Sequence, residues 1–321
     1  MPAVAGSAAG PALTRIAALV AAGFTPTYLV QQALNGIFNG SIYALFAVGY
    51  TLVFGVLDIL NLAHSAVFMA GAVIAFVLVV NLGLPFWAAL PMAVAACALV
   101  GYLLDRVAFR PLRHRGAPHI SALITSIGLA LVMVSLAENR FGGNSQRFPV
   151  GRVPGGEIHY GGLTIGVVDL GILVVTLALM AGLGLLVNRT SPGRAIRAVA
   201  ENPRAATLMG IDVDRVIALT LVLSSALGGL AGILYGLSQS DVSPYIGRDQ
   251  VELKGLAVIV LGGMGSITGA VVAGYLLALV EVGVLVLVGS NARSGVAFAV
   301  LFLALVLRPS GLFGHRAGRR T

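Results

Sequence analysis

Apolar positions in this chain fall in long unbroken blocks rather than in alternation. The blocks cover residues 28–54, 62–80, 86–104, 120–136, 163–187 and 213–236, and a longer apolar region runs from 255 to 307. A helix crosses the hydrocarbon core of a bilayer with about 20 residues, so each block is long enough for a span. Lipid offers no hydrogen-bond partners, and a segment inside it must bond its own backbone. Blocks that lack the short alternating segments of a barrel are therefore helices. The predicted fold is all-α, a polytopic transmembrane helical bundle of roughly eight to ten spans that include broken or re-entrant helices.

Composition supports that reading. The chain is 58% hydrophobic and 10% charged, with a mean hydropathy of +0.97, against about 25% charged residues in a soluble domain. Its net charge of +8 is carried by loops and tails, where it reads as an orientation signal. No basic run alternates with exposed aromatics, so the sequence gives no support for a nucleic-acid surface. Cys97 is the only cysteine and lies in an apolar block, which excludes disulfides and thiolate metal sites.

Arginine sets the sidedness. Arg106, Arg110, Arg113 and Arg115 follow the third block, Arg189 to Arg215 fill the connection after the fifth, and Arg308, Arg316, Arg319 and Arg320 end the chain. All three groups are predicted cytoplasmic, and the mixed-charge connections 138–162 and 238–254 fall outside. Parity then places Tyr28 outside. The run 16–24 is too short for a comfortable span and reads as an interfacial helix or part of a signal segment. From Gly255 to the tail an odd number of crossings is required, and three are expected, with broken helices near residues 262–269. The organisation is an N-terminal tail or interfacial segment (1–27), a transmembrane domain (28–307) with a cytoplasmic loop (189–215), and a basic cytoplasmic tail (308–321).

That loop contains TSPGRAIRAVAENPRAATLMGIDVDR, an arginine-rich polar stretch between apolar blocks. Ser191 is positioned to cap a helix with Pro192 first in it, and Arg194, Arg197, Glu201 and Arg204 recur near helical spacing. Ile196, Val199, Leu208 and Met209 supply apolar contacts, and Gly210 is a plausible stop. A short amphipathic element at a membrane face is a docking surface for another protein.

Within the spans, Gln31, Asn35, Asn39 and Tyr43 repeat every four residues. Amides are expensive in lipid, so this face looks at other helices or at a water-filled path; packing and transport both fit. Gly36 and Gly40 beside it favour close helix contact. The run LDILNLAHS holds His64 in a polar hinge with no second metal ligand at useful spacing, and His64 is read as structural or gating. Glu281 is a carboxylate inside an uncharged apolar run, either part of a path or a buried polar contact. In KGLAVIVLGGMGSITG, Gly262, Gly263, Gly265 and Gly269 permit a helix break or re-entry. That stretch is not a phosphate-binding loop, because Lys254, the only lysine, sits between Leu253 and Gly255 rather than in Gly-Lys-Ser/Thr. No nucleophile and base converge either. The chain is read as a non-enzyme that needs no cofactor and no metal, with any nucleotide-driven work done by other subunits.

Four stretches carry a family resemblance: NGIFNGSIYALFAVGYTLVFGVLDILNLAHSAVFMAGA, TSPGRAIRAVAENPRAATLMGIDVDRVIALTLVLSSALGGLAGILYG, KGLAVIVLGGMGSITGAVVAG and LVLRPSGLFG. The chain resembles the LivH-type permeases, membrane subunits of ABC importers for branched-chain amino acids in the bacterial inner membrane. The resemblance implies a heterodimer with a second homologous permease, two cytoplasmic ABC ATPases and a periplasmic substrate-binding protein. It also implies that residues 191–210 couple to the ATPases: Ala205, Ala206 and Gly210 fall at the spacing of the importers' Glu-Ala-Ala loop, with Arg204 in place of its glutamate. Ser65 stands where related permeases usually have glycine. A permease for urea or short amides is the alternative within the family, and a stand-alone channel or secondary transporter the alternative outside it. Scarce intramembrane carboxylates argue against ion coupling.

Overall fold

A computed structural model describes residues 25–287, together with Gly295, Ala299, Val300, Phe302, Leu303, Val306, Leu307 and residues 311–314. The 16–24 run, all of the basic tail except residues 311–314, and most of the expected final crossing lie outside the described residues. Seven helices there are long and apolar enough to span a membrane, and the only strands form one two-stranded hairpin.

The first span, α1 (Pro26–Leu57), starts where Thr25 accepts a hydrogen bond from the Tyr28 amide and Pro26 supplies a pre-set φ. It ends at Asp58, whose φ of 54° reverses the chain. The return helix, α2 (Ala63–Phe76), runs on through a π-helical turn to Asn81. Pro85 then opens α3 (Phe86–Leu104), which a second π turn (Asp105–Phe109) joins to α4 (Arg110–His114). Next, α5 (His119–Phe141) climbs back to a loop holding the hairpin β1 (Glu157–Tyr160) and β2 (Leu163–Gly166). The expected fifth block had begun at residue 163. Its first four residues pair as β2 instead, and the span is α6 (Val167–Arg189).

Two short helices follow, α7 (Ser191–Glu201) and α8 (Pro203–Leu208), and then α9 (Val213–Ser238). Beyond it a π turn (Gly247–Glu252) leads into α10 (Leu253–Gly262) and then α11 (Ile267–Leu287).

Helices α1, α2, α9 and α11 make the inner layer, while α3, α5 and α6 lie outside it. The most apolar part of α1 is 89% buried and that of α5 only 17%, so α5 offers most of its surface to lipid or to another subunit. Small residues permit the inner contacts. Gly36 faces Leu279, and Gly40 faces Tyr275, along the α1–α11 seam. Gly71 meets the Gly229 backbone, and Gly232 meets the Phe68 carbonyl, where α9 crosses α2.

The two ends of the bundle are chemically distinct. At one end Arg113, Asp105 and Asp214 pair next to α7 and α8. At the other, Ser145 bonds Asp241, Gln146 bridges Val242, and Asp169 accepts from Ser238. The connection 238–254, expected wholly outside, begins at that outer end but plunges inward. Gly247 packs on the Ser65 carbonyl, and Lys254 is buried. A helix break in the middle of a bundle lets this segment re-enter without exposing backbone to lipid.

Candidate functional site

The polar arginine-rich segment is two helices rather than one. Thr190, not Ser191, caps α7: its hydroxyl accepts from the Gly193 amide, putting Ser191 and Pro192 at the first two helical positions. Asn202 breaks the segment and caps α8 through the Ala205 amide at 3.0 Å. Pro203 follows it and cannot donate to the helix before it. Gly210 sits at φ 82°, a conformation suited to glycine.

Gly193, Ile196, Val199 and Ala206 are buried against the bundle, while Arg194, Arg197, Glu201, Arg204 and Ala205 are exposed. Arg197 is tethered to Asn188 at 3.0 Å. Leu208 and Met209 had been expected to pack. Instead they are 88% and 82% exposed, two large apolar side chains projecting from an otherwise polar tip.

Beneath this segment Arg113 donates to Asp105 at 2.8 Å and to Asp214 at 2.9 Å. His114 lies 3.0 Å from the same Asp214. These contacts clamp the end of α3–α4 to the start of α9, with Asp214 four residues past Gly210.

Deeper, three buried polar groups meet. Lys254 Nζ lies 2.6 Å from Glu281 Oε1 and donates to the Tyr43 hydroxyl at 2.7 Å. That hydroxyl in turn donates to Glu281 Oε2 at 2.9 Å. Lys254, Glu281 and Tyr43 are 8%, 2% and 3% exposed. One positive and one negative charge cancel, which is the form in which charges tolerate a low-dielectric interior. Tyr43 and Glu281, far apart in sequence, are thus brought together, and Lys254 joins them.

The remaining amides on the α1 face have partners within the chain. Gln31 donates to the Thr164 carbonyl and accepts from its amide, each at 2.9 Å, and also donates to Asn35. Asn39 accepts from Gln239.

His64 sits at the start of α2, 1% exposed. Its Nε2–H donates to the Phe46 carbonyl at 3.2 Å, and Nδ1 accepts from Ser224 at 3.3 Å, so both nitrogens are used in the neutral ring. Gly49 and Gly228 flank the imidazole closely, and Phe46 and Tyr50 stack around it. The Tyr50 hydroxyl is buried with no hydrogen-bond partner among the described residues.

At the glycine-rich stretch α10 stops at Gly262. Gly263 and Gly265 take φ of 100° and 86°, and Gly269 packs on Gly262. Leu312 and Phe313 donate to the freed carbonyls of Leu261 and Gly262, so the break is satisfied by the last described residues.

Sequence reasoning missed Lys254 as a buried group and passed over Arg248 and Glu252. The signal available was the singularity of that lysine in a lipid-embedded chain.

A bundle with broken helices, a neutralised charge cluster at depth and an amphipathic segment at its arginine-rich end is a multi-pass membrane transport component. Residues 32–306 match the family described as branched-chain amino acid transport system, permease component, and the chain belongs to that family. It is 36% identical over 300 residues to the high-affinity branched-chain amino acid transport system permease protein BraD of Pseudomonas aeruginosa, covering 90% of this chain and 96% of the relative. Identity to LivH of Escherichia coli K12 is 33% over 299 residues, with the same two coverages. LivM of that strain is 28% identical over 300 residues, covering 86% of this chain and 69% of LivM. PsaBC from Streptococcus pneumoniae, solved in complex with Fab, shares the fold at a TM-score of 0.50 and 13% identity, covering 93% of this chain and 98% of that one.

Proposed function

We propose that this chain is one of two permease subunits of an inner-membrane importer that moves branched-chain amino acids inward, driven by two cytoplasmic ABC ATPases. A second homologous permease completes the pore, and a periplasmic binding protein delivers the substrate. The likeness to both LivH and LivM supports two related permeases in one assembly. The BraD and LivH names support the substrate over urea or short amides.

The observation that carries the mechanism is the exposure of Leu208 and Met209 on a segment whose other face is anchored through Ile196 and Val199. Apolar side chains of this size held out from a cytoplasmic surface fit a groove on another protein. Movement of an ATPase pulls that tip. The anchored face and the Arg113–Asp214 clamp pass the motion to α6, α9 and α3, and rocking of the two permeases alternates access to the path between them.

The test is ATP-dependent leucine uptake by the complete complex in proteoliposomes, with Arg197→Glu and Glu201→Arg combined as the coupling variant. Uptake and stimulated ATP hydrolysis are both expected to fall. Full retention of both removes the coupling assignment. Leucine uptake by this chain alone, without ATPases, contradicts the subunit reading.

A further inference from the structure

A cavity of about 330 Å³ opens between α2, α5 and the π turn that precedes α10, within the range typical of small-molecule sites. One wall is apolar. Ile127, Leu131 and Val134 project from α5 at positions four and seven residues apart, opposite Met69 of α2. The other wall carries Ser65, Arg248 and Glu252.

Its depth follows from helix geometry. Ser65 adjoins His64, whose ring meets the carbonyl of Phe46, eleven residues before the inner end of α1, or about 16 Å at 1.5 Å per residue. The cavity is therefore level with the bilayer interior, where a lipid-facing arginine costs about 2.5–3.5 kcal/mol or more. Arg248 is exposed. Its surface accordingly faces water or another subunit, the setting of a translocation path.

The charged wall is built. Glu252 accepts a hydrogen bond from Ser65 at 3.2 Å, and Gly247 abuts the Ser65 carbonyl with no room for a side chain. Two residues on, Lys254 ties the same segment to Tyr43 and Glu281, so these three act as positioning residues for Arg248 and Glu252.

An anion, a cation and an aliphatic wall together match one ligand class. We propose that this cavity holds an apolar α-amino acid in its zwitterionic form, with the ammonium on Glu252, the carboxylate on Arg248 and the side chain against Met69, Ile127, Leu131 and Val134. Urea and short amides carry neither charge and so bring no counter-ion to Glu252 or Arg248, which disfavours them against a zwitterion. The assignment rests on the amino-acid permease reading above and supplies the selectivity within the membrane that a corridor alone lacks.

The experiment uses the complete complex in proteoliposomes with its binding protein. Leucine uptake is measured first, and a leucine analogue with a photoreactive diazirine side chain is then cross-linked during turnover. Labelled peptides are expected from α2 around Met69 and from α5 between Ile127 and Val134. Glu252→Gln and Arg248→Gln should each lower uptake per mole of recovered complex at least tenfold. Ala130→Phe, which narrows the cavity from α5 without touching the charges, should reduce leucine uptake more than alanine uptake. Labelling confined to other helices while wild-type uptake proceeds overturns the site and leaves the permease reading standing, and the same holds if both charge variants import leucine normally. A wild-type complex that imports no leucine overturns the permease reading itself. The cross-linking needs no variant, so a Glu252→Gln complex that fails to assemble does not blunt it.

Discussion

Lys254 Nζ stands 2.6 Å from Glu281 Oε1, and the Tyr43 hydroxyl bonds both. Three helices meet there: α1 gives the tyrosine, α10 the lysine and α11 the carboxylate. The contact fixes the re-entrant segment inside the bundle, eight residues before the glycine break at Gly262. Two opposite charges are tolerated only as a pair, so neither can be lost without stranding the other.

Lys254→Met and Glu281→Leu should therefore each destabilise the purified complex by about 3–5 kcal/mol. The double variant should recover most of that loss, because apolar replacement of a whole buried pair is close to neutral. Thermal unfolding in detergent reads both. Strictly additive losses would show that the two side chains act independently.

The His64 ring leaves no space on its α9 side. A Cβ at Gly228 would lie 2.6 Å from His64 Cε1, so Gly228→Leu should cost about 1–3 kcal/mol through overpacking. Adding His64→Ala opens that space, and the combined variant should lose less than the two single losses summed. Tm measurements on the four proteins of the cycle check the coupling.

Much of the architecture was legible in the apolar blocks. Six expected spans correspond to helices in the described residues, and the arginine count put Arg113, Arg197 and Asp214 at one end. The hairpin at 157–166 was not legible, because four residues of β2 share the apolar character of the span behind them and strand pairing is a tertiary effect. The inward plunge of 238–254 was hidden for a different reason. Its polar residues read as a solvent loop, whereas Lys254 is buried and Glu252 half-buried, held by partners more than 25 residues distant or nearly 190, which no local window contains. Tyr43 and Glu281 were both singled out on cost in lipid, but their meeting could not be read from either helix alone.

The Tyr50 hydroxyl is buried and has no partner among the described residues. Tyr50→Phe removes a desolvated donor without changing the ring, so stability should hold or rise by up to about 1–2 kcal/mol. A fall in Tm of the purified complex would mean that the hydroxyl has a bonding role in the folded assembly.

At the arginine-rich end, Arg113 and Arg110 both reach Asp214 but differ in what they leave behind. Asp105 is buried and bonded by Arg113, whereas the Arg110–Asp214 pair is 3.5 Å apart and partly exposed. Arg113→Ala should cost about 3 kcal/mol by stranding the Asp105 carboxylate. Arg110→Ala should cost less than about 1 kcal/mol. Equal Tm shifts for the two variants would count against the ranking.

The proposed coupling requires the α7–α8 tip to face the ATPases inside the cell. Cys97 is buried, so single cysteines can be introduced and labelled over a low background. With a membrane-impermeant maleimide on intact cells, His159→Cys in the outer hairpin should label while Leu208→Cys stays unmodified. Opening the inner face should expose Leu208→Cys, and adding the ATPases should protect it. Labelling of Leu208→Cys in intact cells would put that tip on the wrong side of the membrane and contradict the mechanism.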